Sequence, residues 1–284
     1  MQNVLLRLRE VAPSLSSTER QIARYILANP NETTLLTIRQ LAQRTFSSPS
    51  SVVRVCRAIG FGGYKELRHA LTLEIAALGE NGSHREQDIT PQDSLQEIVD
   101  KVTRNNIQCL QDTRQLLLLD QLEQCVDLVA QARTVLLFGI GSSLCVAKDT
   151  YLKFLRLDKP CVVNEDSHSQ LLQARNAKPE DVAIVFSYSG QTAEMIQCIR
   201  EMKANGVPVI AVTRYYPSEV AQLADHVLYV AANESLFRNG AMSSRLSQLN
   251  VMDILYTAYA SRNYEDTLRR LTRTHIAKGG TEPR

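Results

Sequence analysis

Two short stretches of hydroxyl-bearing residues have the composition of anion-binding turns. One is Gly139-Ile140-Gly141-Ser142-Ser143 and the other is Ser187-Tyr188-Ser189-Gly190-Gln191-Thr192. Each follows a continuous apolar run (residues 135–138 and 182–186) and each leads into a helical pattern. A helix N-terminus carries unpaired N–H groups and partial positive charge, and Ser and Thr hydroxyls add donors without bulk, so such a turn suits a phosphate monoester. Alone, a Ser/Gly-rich turn is only punctuation. Two of them after apolar runs point to anion binding. Neither is a Walker A loop, because no Gly-Lys-Ser or Gly-Lys-Thr is present, and the dinucleotide fingerprint lacks its third glycine, Leu144 standing there. Only Glu165 or Asp166 falls where that fingerprint places an acid, so a nucleotide reading has little support.

A third stretch, residues 48–59, has the pattern of a helix that reads DNA. At 100° per residue Val52, Val55, Cys56 and Ile59 share one face, while Ser50, Arg54 and Arg57 lie opposite. Arg grips guanine O6 and N7 together, and serines keep the helix start slim enough to approach a backbone. Ser48-Pro49 reads as an N-cap followed by proline at the first helical position. The candidate DNA contacts are Ser48, Ser50, Ser51, Arg54 and Arg57, with Tyr64, Lys65 and Arg68 at the next helix start for flanking phosphates. The competing reading is a plain helical packing unit with solvated arginines; the break at Phe46-Ser47 lacks the expected glycine.

Charge supports the first reading. Ten Lys/Arg against six acids give residues 1–80 a net +4, which leaves −2 for the remainder of a chain whose total is +2. A basic head on a mildly acidic body fits an anionic partner for the head. The 284 residues, 44% hydrophobic and 22% charged, have ordinary globular composition with room for about two domains. The longest uncharged run, residues 134–147, is 14 residues long and too short to span a bilayer, which takes about 20. The six cysteines (56, 109, 125, 145, 161, 198) form no CxxC pair and read as buried thiols, so a cytoplasmic location is expected, with no membrane partner and no metal site.

The elements that position these motifs change period along the chain. Helical patterns cover residues 17–29, where Pro30 reads as the stop, then 36–45, 48–59 and from Gly62-Gly63 to about Leu78. Residues 80–92 are polar and turn-rich and read as a linker. Helical pattern resumes over 93–132, with a break near Leu119-Asp120. Short apolar runs then alternate with helices at 135–138, 161–163, 182–186, 209–212 and 227–230, before closing helices over 242–262 and from Tyr264 to about Ala277. Continuous apolar strands alternating with helices argue a parallel sheet covered on both faces. The expected division is 1–79, linker 80–92, 93–278, and a frayed tail 279–284.

Together the helical head, Gly-Ile-Gly-Ser-Ser and Ser-Tyr-Ser-Gly-Gln-Thr resemble the RpiR-type bacterial transcriptional regulators, over roughly residues 1–275. These join an N-terminal helix-turn-helix domain to a sugar isomerase (SIS) domain. The resemblance implies an α/β fold class: an all-α helix-turn-helix domain plus a flavodoxin-like α/β sandwich with a five-stranded parallel sheet. It implies that Ser187, Ser189 and Thr192 hold a sugar phosphate, with Gly141, Ser142, Ser143 and Gln191 in the same loops. Glu165 and His168 match positions that often face the ligand. Arg245, in Met242-Ser243-Ser244-Arg245, is left between ligand and neighbouring subunit. The resemblance also implies a homodimer or tetramer built through the SIS domain, a double-stranded operator, and a phosphosugar effector rather than a cofactor.

A sugar-phosphate isomerase is the alternative. That reaction needs a general base within hydrogen-bond reach of a carbon-bound proton. Glu165, Glu194 and His168 are candidates, but no pair has a spacing that argues catalysis, and a DNA-binding head would be surplus. The expectation is therefore a sequence-specific regulator, taken as a repressor of sugar or amino-sugar genes, with no catalytic residue assigned.

Overall fold

The computed structural model describes residues 4–78, 89–232, 241–262 and 264–276. The chain divides into two compact units, Met1–Lys101 with Tyr215–Pro217, and Val102–Arg214 with Ser218–Arg284. Residues 80–88 of the expected linker and the tail from 279 lie outside the described residues.

The N-terminal unit contains α1 (Val4–Val11), α2 (Ser17–Ala28), α3 (Pro30–Leu35), α4 (Ile38–Arg44), α5 (Pro49–Ala58) and α6 (Tyr64–Leu78). Local chemistry starts these helices. Ser16 and Glu19 form a reciprocal capping box on α2, and Thr37 and Gln40 do the same on α4. Ser48 Oγ accepts from Ser51 N at 3.2 Å to cap α5, and Pro49 occupies its first turn. α2 ends at Ala28 with Asn29 as C-cap, just before Pro30 as expected, and Pro30 also opens α3, because the first helical position needs no N–H. The core joins Val4, Leu8, Ile22, Ile26, Leu41, Val52, Val55, Ile59, Leu67 and Leu71.

The α4–α5 turn explains the missing glycine. Ser47 N donates to Ala42 O and Phe46 N to Gln43 O, with Phe46 at φ +47. This is a Schellman motif, whose left-handed position usually takes glycine. The end of α5 repeats it with Gly60 at φ +86.

The remaining elements are α7 (Leu95–Leu116), α8 (Leu119–Gln131), β1 (Val135–Gly139), α9 (Ser142–Arg156), β2 (Cys161–Val163), α10 (Ser167–Asn176), β3 (Val182–Phe186), α11 (Ala193–Ala204), β4 (Val209–Arg214), α12 (Glu219–Leu223), β5 (His226–Val230), α13 (Met242–Arg262) and α14 (Tyr264–Arg273). The five strands are all parallel, in the order β2-β1-β3-β4-β5. This is the flavodoxin-like order. Alternate strand residues feed opposite faces. Leu137, Ile184 and Phe186 pack with α9 and α13, while Leu136, Phe138 and Val185 pack with α10 and α11. Burial on both faces is why β1 and β3 read as continuous apolar runs. Among the described residues no helix is long and apolar enough to cross a membrane.

The cysteines need one correction. Cys56, Cys109, Cys125 and Cys198 are buried and Cys161 is half-buried, but Cys145 is exposed. It sits in the first turns of α9, where its Sγ reaches Gly141 O at 3.8 Å, so the outward side of that helix carries it.

Candidate functional site

Strand order places both hydroxyl loops at one locus. β1 and β3 are neighbours although β2 lies between them in sequence, and their last residues are level, Gly139 pairing with Phe186. Ligands of open parallel sheets bind beyond the carboxyl ends of the strands at this topological switch point. The loop after β1 carries Ser142 and Ser143 into α9; the loop after β3 carries Ser187, Ser189 and Thr192 into α11.

Backbone geometry holds the loops open. Gly141 has φ +60 and is the N-cap of α9, with no side-chain cap bond; Thr192 is the N-cap of α11, likewise with none. Gly190 has φ +66, and a Cβ there would stand 2.1 Å from Ser218 Oγ. Only glycine fits, because Ser218 is spent capping α12. Within the second loop Ser187 Oγ lies 3.1 Å from Thr192 Oγ1, and Ser189 Oγ accepts from Gln191 N at 3.3 Å. Ser187 is buried, Ser142, Ser143 and Thr192 are half-buried, and Ser189 and Gln191 are exposed. The arrangement offers convergent hydroxyls and first-turn amides with no cationic side chain among them, which is hydrogen-bond chemistry for an anion.

Two buried glutamines support these loops, and neither is evident in the sequence reading. Gln170 on α10, 0% exposed, clamps Gly139 from both sides: Gly139 N donates to its Oε1 at 3.1 Å, and its Nε2 donates to Gly139 O at 3.0 Å. Gln248 on α13 accepts from Ser143 Oγ at 3.2 Å and donates to Val212 O at 3.4 Å. Val212 O also accepts from Ser187 N at 3.2 Å. The available signal was polarity on an otherwise buried helix face: Ser243, Ser244, Ser247 and Gln248 are all buried on α13.

Of the residues expected beside the loops, Glu165 forms an ion pair with Lys148 of α9 at 2.8 Å, with its side chain 77% exposed. His168 and Arg245 are exposed. Asp166, not His168, caps α10, accepting from Ser169 N at 2.8 Å; that bond holds the Asp166 carboxyl below its usual range.

In the head, α5 buries Val52, Val55 and Cys56 and exposes Ser50, Arg54 and Arg57, with Ile59 buried at its end. Arg54 is tied on two sides, its Nε donating to Glu19 at 2.8 Å and its Nη2 to Ser51 Oγ at 3.0 Å. Lys65 is exposed, and Arg68 is half-buried, with Nη1 3.4 Å from Leu36 O. Two expected contacts are corrected. Ser51 is buried, its hydroxyl shared with Ser48 and Arg54. Tyr64 is buried too: its hydroxyl bonds Thr33 O at 3.0 Å and Leu36 O at 3.1 Å, and burial pushes its pKa up to about 12. Both hydroxyls serve packing.

Comparison with known proteins agrees with this geometry. The helix-turn-helix domain model of the rpiR family matches residues 2–78, and the SIS domain model matches residues 128–258. An uncharacterized HTH-type transcriptional regulator of Caldanaerobacter subterraneus subsp. tengcongensis is 36% identical over 274 residues, covering 96% of each chain. The chain belongs to the RpiR family of HTH-type transcriptional regulators. A second relative, the uncharacterized HTH-type transcriptional regulator YbbH of Bacillus subtilis, is 34% identical over 93% of this chain and 92% of its own. Among solved structures, the NanR protein of Vibrio vulnificus complexed with ManNAc-6P is 28% identical, with a TM-score of 0.59 and 96% coverage of both chains. The sugar isomerase domain of an RpiR transcription factor from Sphaerobacter thermophilus covers 62% of this chain and 97% of its own, with a TM-score of 0.57 at 23% identity, and shows the shared fold.

Proposed function

We propose that this RpiR-family regulator is controlled by a phosphosugar held between the loops after β1 and β3. The observation that carries the reading is the convergence of Ser142, Ser143, Ser187, Ser189 and Thr192 at the switch point of a sheet joined in one chain to a DNA-reading helix. The complex of the related NanR with ManNAc-6P supports the ligand class. In this reading Ser187, Ser189 and Thr192 take the phosphate, the first loop with Gly141 reaches the sugar side, and Gln191 lines the rim. Glu165 and His168 stand after β2, at the edge of that site. Arg54 and Arg57 read base edges, Ser48 and Ser50 line the helix start, and Lys65 and Arg68 approach phosphates. The protein acts in the cytoplasm as a homo-oligomer and represses sugar or amino-sugar genes. No catalytic step is assigned: Glu165, a candidate base, is engaged by Lys148. The domain limits that serve this scheme are 1–79 and 93–278.

Ligand affects operator affinity only through its different affinity for the two arrangements of the oligomer. A dimer reads half-sites about 10 bp apart or a multiple of that. The test is a thermal-shift screen against ManNAc-6P, other hexose 6-phosphates and their unphosphorylated parents, followed by operator titration with each hit. A ligand at 100 times its dissociation constant adds about 2.7 kcal/mol. A shift with a phosphosugar and none with its parent is expected, with a matching change in operator affinity. Equal operator affinity with and without every binding phosphosugar would overturn the coupling.

A further inference from the structure

Two helix starts converge on Arg54. In the capping box of α2, Glu19 Oε2 accepts from Ser16 N at 3.2 Å and from Ser16 Oγ at 2.7 Å. Its other oxygen, Oε1, accepts from Arg54 Nε at 2.8 Å. In the first turn of α5, Ser51 Oγ accepts from Arg54 Nη2 at 3.0 Å and lies 3.0 Å from Ser48 Oγ. The Glu19 carboxyl is held below its usual range, by the Ser16 hydroxyl first and Arg54 second, so it is charged at neutral pH. The Glu19 side chain is 16% exposed, whereas Arg54 stays 60% exposed on the face it shares with Ser50 and Arg57. A guanidinium has five N–H donors. These bonds take the Nε proton and one Nη2 proton. They leave both Nη1 protons and the second Nη2 proton without a partner among the described residues. Arg57, also exposed, has no brace of this kind among the described residues.

Resting on the reading above that Arg54 contacts a base edge, we propose that Glu19 is a positioning residue for that readout: it aims the Nη1–Nη2 end of Arg54 at a guanine and so sets discrimination at one operator position. Guanine O6 and N7 are taken by two donors at once. The planar guanidinium offers such a pair only in a fixed orientation. A free arginine loses rotamer freedom when it docks on a base. One already held by Glu19 and Ser51 loses less, a difference of about two- to tenfold in affinity per side chain. The charge of Glu19 opposes a polyanion, so its place beside the reading face lowers sequence-independent affinity. An ion pair this exposed adds little to stability. What Glu19 supplies is orientation. The α2 cap, a local feature of its own helix, is in this way part of a reading surface 35 residues further along the chain.

The experiment selects a DNA duplex from a randomised pool with the full-length protein. Fluorescence anisotropy at fixed salt then measures binding to that duplex, to its single-base variants and to a scrambled duplex. Arg54→Ala and Arg57→Ala locate the position that each arginine reads. Glu19→Gln has one amide oxygen for two donors, Ser16 N and Arg54 Nε. Glu19→Asp keeps the charge but withdraws the carboxylate by one methylene. Both should cut discrimination at the Arg54 position about two- to tenfold and leave it intact at the Arg57 position. Glu19→Gln should also tighten binding to the scrambled duplex, and Glu19→Asp should not. In Arg54→Ala neither should change discrimination. Three results would overturn the proposal: full discrimination in both Glu19 variants, tighter binding to the selected duplex with discrimination retained, which makes Glu19 a competitor for the arginine, or a loss that persists in Arg54→Ala. Should one Glu19 variant fail to fold, the other decides by the same criterion. A wild-type protein that selects no duplex, or an Arg54→Ala that weakens all duplexes equally, removes the base-reading assignment and this inference with it. A position-specific loss in Arg54→Ala beside full discrimination in the Glu19 variants removes this inference alone.

Discussion

The head and the two loops after β1 and β3 use the same small hydroxyl residues differently. In the head, Ser16, Thr37 and Ser48 fold their hydroxyls back onto the helices they precede and satisfy those amides. At the carboxyl ends of β1 and β3, Gly141 and Thr192 occupy the same N-cap position and supply no side-chain cap. The hydroxyls there turn toward one another or toward a glutamine. A hydroxyl residue before a helix therefore reports either a capped or an uncapped terminus, and backbone alone does not separate them: Gly141 takes positive φ, but the uncapped Thr192 is as extended as the capped Thr37 and Ser48. The capped starts have a first-turn amide satisfied by a side chain, and α9 and α11 have none so satisfied by their N-cap residue.

The largest test of that contrast is Gly190→Ala. With φ +66 and Ser218 Oγ 2.1 Å from the new Cβ, strain and overpacking should cost about 3 kcal/mol of stability by urea unfolding. The phosphosugar thermal shift should disappear with it, while the helix starts capped by Ser16, Thr37 and Ser48 depend on no positive-φ glycine. Next, Arg54→Ala or Arg57→Ala should cost about 1–3 kcal/mol of operator affinity, concentrated at one base position, in binding to single-base operator variants. A uniform loss across sequences would make the arginine a phosphate contact. Tyr64→Phe sharpens the packing side: Thr33 O and Leu36 O each lose one donor and keep another, Leu36 N and Arg68, so stability should fall by about 1 kcal/mol with operator preference intact.

Phe46→Gly should act in the other direction. Phe46 is 90% exposed and holds the left-handed position that Gly60 fills in the next turn, so glycine there should raise stability by about 1 kcal/mol, read as a higher midpoint in urea. The smallest effect is a pH dependence. The Glu19 carboxyl is held below its usual value by the Ser16 hydroxyl first and Arg54 second. A depressed folded pKa contributes stability that is present above the unfolded value and lost as pH falls through the folded one. Glu19→Gln should therefore lower stability slightly near neutral pH, a difference that closes as pH falls through the folded value, so the acid limb flattens.

How much of this was legible without coordinates follows from range. The α5 faces, the Ser48-Pro49 start and the buried strands β1 and β3 depend on neighbours within a few residues, and the expected patterns match the observed burial. α1 and α3 were not foreseen. α3 is six residues long, too short for a periodic pattern, and its proline reads equally as a start or a stop. Tyr64 stood in a basic, glycine-flanked stretch that looks like surface; its burial depends on α3 and the Leu36 carbonyl, 28 residues away.

The sequence by itself determined the two kinds of structure, the face of α5 that meets solvent, and the two hydroxyl loops, because helical and strand periodicity and turn chemistry are local. Tertiary structure alone decided that the two loops meet. It also decided that Gln170 and Gln248 brace them and that Ser51 and Tyr64 are interior. Those outcomes depend on strand order and on hydrogen bonds across 31 and 105 residues of chain, where no sequence spacing records which buried polar group will find which partner.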